Sequence, residues 1–360
     1  MSKDALLIVR DRIDAIDRQI QTLLGERAEC AMEVAKIKTA AGDTNFYRPD
    51  REAQVLQKIK DRNTSVLPDD EMARLFREIM SACLALEQPL KVAFLGPDGS
   101  YTHSAALKQF GHSALTVSVS AIDEVFREVE SDNADYGVVP VENSTEGMVN
   151  HSMDMFMNSS LNICGEVQLR IHHHFLSNVK DLKDVKRVYS HQQSFAQCRE
   201  WLNLNMPSVD RVVINSNSEA ARMAAEEDGA AAIAGEIAGE RYELASLATN
   251  IEDHSDNTTR FLVVSKMKTD ASGNDKTSLL LSTPNKPGAL YSLLEPLQNN
   301  GVSMTRVESR PSKQGVWEYV FFVDVEGHIS NEKVSQALLQ IEENAAMYKV
   351  LGSYPRAVIS

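Results

Sequence analysis

A chain of 360 residues, 43% of them hydrophobic, is long enough for two or three domains with ordinary cores. A net charge of -14 with no basic face argues against a nucleic-acid partner, and it leaves any anionic ligand to a few local cations. The four cysteines, Cys30, Cys83, Cys164 and Cys198, form no CxxC pair, so neither a disulfide framework nor a zinc site is expected and a reducing cytoplasm is. The opening MSKDALLIVRDRIDAIDR is charged too early for a signal peptide, and no apolar run reaches the roughly 20 residues that span a bilayer.

The first segment, residues 1–89, reads as all helix. Ile13, Ile16, Ile20, Leu23, Leu24, Ala31, Val34 and Ile37 recur at spacings of three and four, which predicts an amphipathic helix from about Asp4 to Ala41. Such a helix is about 55 Å long. That is too long for a compact domain of this size, so its apolar stripe is expected to meet a second chain in an intertwined helical dimer. Arg27 and Lys38 lie on the same stripe, where a cation is costly unless an anion pairs with it. They differ by about 20° around the axis and roughly 16 Å along it, a spacing that suits a small molecule with two carboxylates. Arg10 is about 25 Å from Arg27. It is out of reach within one chain but within reach of a partner's site in an antiparallel dimer. The loop GDTNFYR leads to a second helix from Pro49 to about Arg62, with Arg51 and Glu52 in its first turn. A third helix opens at Pro68, with Phe76, Ile79, Met80, Cys83 and Glu87 on one face. Arg10, Arg27, Lys38, Arg51, Glu52 and Glu87 thus form one composite pocket, although interhelical salt bridges or snorkelling side chains account for them equally well.

The second segment, residues 90–268, alternates short apolar strands with helical patterns. KVAFLGP, DYGVVPVEN, RVYS, AAAIAG and TRFLVVS read as strands, several buried on both faces. This is an α/β arrangement in two lobes, with ligands expected past the strand ends. Polar clusters stand there: Gly96–His103, Pro140–Gly147, Tyr189–Cys198 and Asn257–Phe261. Each is rich in neutral hydroxyl and amide donors, and each taken singly is also ordinary turn and cap chemistry. His172, His173 and His174 are expected to alternate faces of a strand, so they do not converge on one metal ion.

After a polar linker, KTDASGND, the third segment (residues 277–355) reads as strand Thr277–Thr283, helix Gly288–Asn300, strand Val302–Arg310, strand Trp317–Glu326, helix Asn331–Asn344 and strand Tyr348–Tyr354. That βαββαβ order is ferredoxin-like.

Each segment resembles a known family. The runs IVRDRIDAID, LLGERAECAMEVAKIK, YRPDREAQVL and RLFREIMSACLALEQ are similar to the all-helical chorismate mutase domain. The resemblance implies that Arg27 and Arg10 bind the two carboxylates of chorismate, with Arg51 and Cys83 nearby. Glu52 would accept the ring hydroxyl, and Lys38 and Glu87 would hydrogen-bond the breaking ether oxygen. A carboxylate donates no hydrogen bond, so Glu87 has to be protonated for its part. VVPVENSTEG and TTRF resemble prephenate dehydratase, which loses water and carbon dioxide from prephenate to give phenylpyruvate without metal or organic cofactor. Thr259 would deliver or relay the proton. Asn143, Ser190 and Gln197 would orient the substrate, Glu142 and Tyr101 would lie close by, and Arg260 would bind a carboxylate or brace the loop. Gly288, Ala289 and Leu290, with Glu308, Ser309, Arg310 and Pro311, resemble the phenylalanine-binding motifs of the ACT domain, which implies inhibition by phenylalanine bound between paired domains. The order of the three resembles the bifunctional P-protein family. It implies a cytoplasmic homodimer, or a higher even oligomer, that turns chorismate into phenylpyruvate. The alternatives are a dehydratase with a helical dimer clamp and a non-catalytic amino-acid sensor; intact Arg27, Lys38 and Glu52 weigh against the first, intact TTRF against the second.

Overall fold

The computed structural model describes residues 3–43, 45–284, 286–312 and 319–359. Three helices come first: α1 (Lys3–Ala40), α2 (Pro49–Asp61) and α3 (Asp69–Glu87). Pro49 presents the fixed φ that suits a first helical turn. Asp50 and Glu52 in α2, and Asp69, Asp70 and Glu71 in α3, set negative charge at the positive end of each helix. Leu56, Ile59 and Ala73 close a small core between α2 and α3. α1 leaves Leu6, Leu7, Ile13, Ile16, Ile20, Leu23, Leu24, Val34 and Ile37 between 37% and 69% exposed.

An α/β region follows. Its first lobe runs through β1 (Lys91–Leu95), α4 (Tyr101–Phe110), β2 (Leu115–Val119), α5 (Ile122–Glu130), β3 (Tyr136–Asn143), β4 (Gly147–Met148), α6 (Asn150–Asn158) and β5 (Asn162–Arg170). The chain then crosses to a second lobe of β6 (His174–Ser177), β7 (Arg187–Ser190), α7 (Gln192–Gln197), α8 (Arg199–Asn205), β8 (Asp210–Val213), α9 (Asn217–Glu226), β9 (Ala230–Ala234), α10 (Glu236–Arg241) and β10 (Ala245–Ala248). It returns through β11 (Thr258–Ser265), which inserts between β3 and β5. The strand orders are β2-β1-β3-β11-β5, with β4 on β3, and β10-β6-β9-β7-β8. In β9 every residue of AAAIA is buried, and its small side chains admit Ala220, Ala221 and Ala224 of α9 into one core. The two crossings run side by side: the Ile171 N–H donates to the Asn257 carbonyl at 2.8 Å and that of Ile251 to the His173 carbonyl at 2.9 Å. His172 and His173 belong to the outgoing crossing and only His174 to a strand, so the expected alternating triplet is corrected.

The last region contains β12 (Asp275–Ser282), α11 (Ala289–Asn299), β13 (Met304–Pro311), β14 (Tyr319–Glu326), α12 (Glu332–Asn344) and β15 (Met347–Pro355). Its antiparallel sheet has the order β13-β14-β12-β15. Trp317, the expected start of a strand, lies outside the described residues. KTDASGND is not a free linker: Arg48 meets Asp270 at 2.6 Å, Gln54 donates to the Ala271 carbonyl at 3.2 Å, and Asp275 accepts the Gly273 amide at 3.0 Å. β15 lies so close to β5 that a Cβ on Gly352 would stand 2.1 Å from the Ile163 carbonyl oxygen.

The chain continues past β15 onto the helices. Lys60 donates to the Val358 carbonyl at 2.9 Å, and Ile359, 8% exposed, joins the cluster of Leu56, Ile59 and Ala73. Burial of an isoleucine side chain contributes about 1.5–3 kcal/mol. Deleting residues 356–360 is therefore expected to lower the thermal stability of the helical domain by that order while dehydratase activity persists. A calorimetric trace identical to that of the full chain would refute this.

Candidate active sites

Between the two lobes lies a cavity of about 230 Å³. Side chains from both lobes and both crossings line it, among them Tyr101, Asn143, Glu146, His173, Gln193, Ser194, Gln197, Asn217, Asn257 and Thr259. β3 and β11 pair antiparallel with Asn143 opposite Thr259, so the pleat sends both to the cavity face. The Asn143 amide donates to the Thr259 hydroxyl and to the Asn257 side-chain oxygen, each at 2.8 Å. The Asn143 oxygen accepts the amides of Thr145 and Glu146 at 2.9 and 3.0 Å. Because the Thr259 oxygen accepts, its own proton is left to donate. Across the cleft the Tyr101 hydroxyl lies 2.7 Å from His173 Nδ1, and His173 Nε2 lies 2.7 Å from the Gln197 oxygen. The Gln197 amide nitrogen is buried without a partner and stands at the cavity. Burial pushes the Tyr101 hydroxyl pKa well up and the His173 pKa down, so both are neutral near pH 7. Burial alone would raise Glu252, but the His173 amide and the His172 ring outweigh it and hold its carboxyl below the usual value. No arginine or lysine lines the cavity among the described residues.

Three expected dehydratase residues stand elsewhere. Ser190 is fully buried and donates to Asn217 and to the Ile233 carbonyl, so it positions Asn217 instead of reaching the cavity. Glu142 and Arg260 face each other on the reverse side of the same strand pair. Glu142 meets Arg306 of β13 at 3.3 Å. Arg260 is 11% exposed and meets Asp324 at 2.6 Å, Glu166 at 2.9 Å and the Tyr354 hydroxyl at 3.0 Å, which leaves it no part in carboxylate binding. Five further lining residues lie in stretches already notable in the sequence: Glu146, His173, Gln193, Ser194 and Asn257. Asn217 had only the capping pattern Ser216–Glu219 to mark it, and Ser216 does cap α9.

In the helical domain Arg27, Lys38 and Glu87 come together. Burial raises the Glu87 pKa, opposed by the nearby charges of Lys38 and Arg27. Lys38 donates to the carbonyls of Asn45 and Phe46 at 3.0 and 3.2 Å. Cys83 is buried at 7% beside this group on α3, and Arg10 and Arg51 are exposed. Glu52 departs from expectation: it meets Arg77 at 3.1 Å in a small cavity also lined by Pro355 and Val358. Its carboxyl pKa is raised by burial against the opposing pull of Arg77.

In the last domain Gly288 has a left-handed φ of +78°, which a glycine adopts freely, and it precedes α11 directly. Ala289 is buried and Leu290 is 38% exposed. β13 alternates: Glu308 and Arg310 are half-buried, Ser309 and Pro311 exposed. Arg310 faces the dehydratase region, where it meets Asp154 at 2.9 Å and the Asn150 carbonyl at 2.6 Å.

The comparisons with known proteins divide the chain similarly. The family model for chorismate mutase type II matches residues 9–88, that for prephenate dehydratase residues 92–269, and that for the ACT domain residues 277–343. A bifunctional chorismate mutase/prephenate dehydratase of Stutzerimonas stutzeri is 52% identical over 361 residues, covering 99% of each chain. The crystal structure of prephenate dehydratase from Arthrobacter aurescens in complex with L-Phe is 31% identical with a TM-score of 0.69, covering 75% of this chain and 91% of that one. A structure described as GqqA, a novel type of quorum quenching acylases, is 30% identical with a TM-score of 0.68, covering 74% and 98%. A shared fold thus hosts more than one described activity, and the assignment rests on the full-length relatives and the three family models together. The chain belongs to the family of bifunctional chorismate mutase/prephenate dehydratases.

Proposed function

We propose residue roles, assembly and regulation for the two activities of this enzyme, which rearranges chorismate to prephenate and converts prephenate to phenylpyruvate. The observation that carries the dehydratase reading is the Asn143–Thr259 pair at the head of a cleft lined by neutral donors. Thr259 passes a proton to the leaving ring hydroxyl, Asn143 orients it, and Tyr101 of the first lobe and Gln197 of the second hold the substrate. Electrons from the breaking carbon–carboxylate bond enter the ring as water departs and carbon dioxide leaves. A cation on that carboxylate would bind the reactant more strongly than the transition state. Neutral donors avoid that penalty. Thr259→Ala is expected to lower dehydratase kcat by at least about 100-fold, the scale of a positioned proton donor, with mutase activity intact. Equal loss of both activities would contradict the assignment.

In the mutase site Arg27 takes a carboxylate, and Lys38 and Glu87 reach the ether oxygen. The raised Glu87 pKa supports a protonated, donating carboxyl. That donor is present below the raised pKa and is lost as pH rises through it. Mutase kcat/KM is therefore expected to fall toward high pH in the native enzyme and to stay level in Glu87→Gln. A parallel decline in the variant would remove Glu87 from the step.

The apolar stripe along α1 supports an intertwined homodimer, in which Arg10 completes the partner's site. Mixing and refolding inactive Arg10→Ala with inactive Lys38→Ala should restore mutase activity, because some hybrid dimers then hold one intact site. No recovery would place Arg10 outside the site. The ranges 1–89, 90–268 and 277–355 are proposed as the mutase, dehydratase and ACT domains. Pairing of ACT domains through the exposed face of β13, with Gly288, Ala289, Leu290, Ser309 and Pro311 around bound phenylalanine, supports feedback inhibition. A cytoplasmic location fits the cysteine usage. Among the described residues no helix is long and apolar enough to cross a membrane.

A further inference from the structure

The strand β13 has two faces with different neighbours. Val307 is 44% exposed, and Ser309 and Pro311 share its side of the strand. Arg306 and Arg310 point the other way and are 14% and 11% exposed. Both reach the segment that walls the dehydratase cavity. Gly147, Met148 and Val149 line that cavity and lead straight into α6. Arg306 contacts the Met148 sulfur and meets Glu142 at 3.3 Å, one residue before Asn143. Arg310 donates to the Asn150 carbonyl at 2.6 Å and meets Asp154 at 2.9 Å. Among its other attachments, Val149 donates to the Val141 carbonyl at 3.0 Å and Ser152 to the Pro140 carbonyl at 2.6 Å, while further along α6 His151 meets Asp123 of α5 at 3.6 Å and Lys349 of β15 donates to the Phe156 carbonyl at 2.9 Å. The entrance of this wall, Met148 to Asn150, thus lies between β3, which carries Asn143, and two arginines of the last domain.

We infer that Arg306 and Arg310 are positioning residues of the dehydratase site, supplied by the ACT domain, and that β13 is the element through which phenylalanine reaches that site. The second half rests on the reading above that phenylalanine binds the outward face. A ligand that shifts or tilts the strand from outside must move both guanidinium groups, because an edge strand translates with its side chains. An arginine forked between a carbonyl and a carboxylate holds its partners in a fixed geometry that the single ammonium of lysine does not reproduce. The wall then follows the strand.

The test uses the full-length enzyme. Arg306→Met and Arg310→Met keep the aliphatic stem and remove the guanidinium. Prephenate kcat and KM, phenylalanine inhibition, phenylalanine binding by calorimetry, and mutase activity as a folding control are measured for each. The expected result is a prephenate KM raised severalfold, unchanged mutase activity, and phenylalanine that still binds but no longer inhibits. Typical coupling of about 5- to 150-fold should shrink to less than about twofold. Arg310→Lys should recover part of the KM effect. Asp154→Asn, which weakens the same contact from the other side, should act in the same direction and serves if an arginine variant does not fold. Native KM together with native inhibition would overturn the inference. Loss of phenylalanine binding in the variants would overturn it too, making the arginines ligand residues. If the native enzyme itself binds no phenylalanine, the regulatory reading fails, and the positioning role stands or falls on the KM measurement.

Discussion

Thr259 and Arg260 are consecutive on β11, and the pleat of the strand turns them to opposite faces. Opposite them on β3, Asn143 and Glu142 do the same. One face of this strand pair is therefore the neutral, donor-rich head of the dehydratase cleft. The other is the seat of a buried ion cluster in which Arg260 and Lys276 face Glu166 and Asp324, with Ser278 and Tyr354 filling the remaining hydrogen bonds. Two cations and two anions balance, so the cluster carries no net charge into the interior. Its desolvation is offset only because nearly every polar atom finds a partner in good geometry, and removing one member would leave an uncompensated charge. The position of Thr259 is thus held by a contact it does not make.

The same separation of faces recurs in β13. Its inward arginines touch the dehydratase wall and its outward residues stand exposed. An edge strand with one committed face and one open face is a natural place for a regulatory contact, since a partner on the open side displaces the committed side as a unit. The ACT domain is also joined to the dehydratase through the close approach of Gly352 to Ile163.

The helical domain is tied in less tightly. α1 projects with its apolar stripe uncovered, while α2 and α3 are anchored through Arg48, Gln54, Lys60 and Arg77 to the rest of the chain. Glu52 is drawn into that anchoring by Arg77. Arg27 and Lys38 of α1 lie close enough to Glu87 of α3 for their charges to act on its carboxyl.

Much of this was legible from periodicity and composition. The helical spacing of α1, the wholly apolar β9 and the proline and glycine punctuation around α2 and α11 are local signals, and each follows from the geometry of a single element. The motifs VVPVENSTEG and TTRF marked the β3–β11 strand pair through their resemblance to a known family. What the sequence alone did not determine was which side of each strand meets which neighbour. Glu142 and Arg260 sit inside those motifs, and Arg310 sits in the motif Glu308–Pro311, yet all three meet side chains or carbonyls of another region of the chain. Ser190 lies one layer behind the cavity, and Asn217 comes from a helix with only a capping pattern to mark it. A one-residue step reverses the face of a strand, and the partner across that face comes from a distant part of the chain. Only the packed tertiary structure decides that pairing, because burial and charge compensation are properties of the assembled interface.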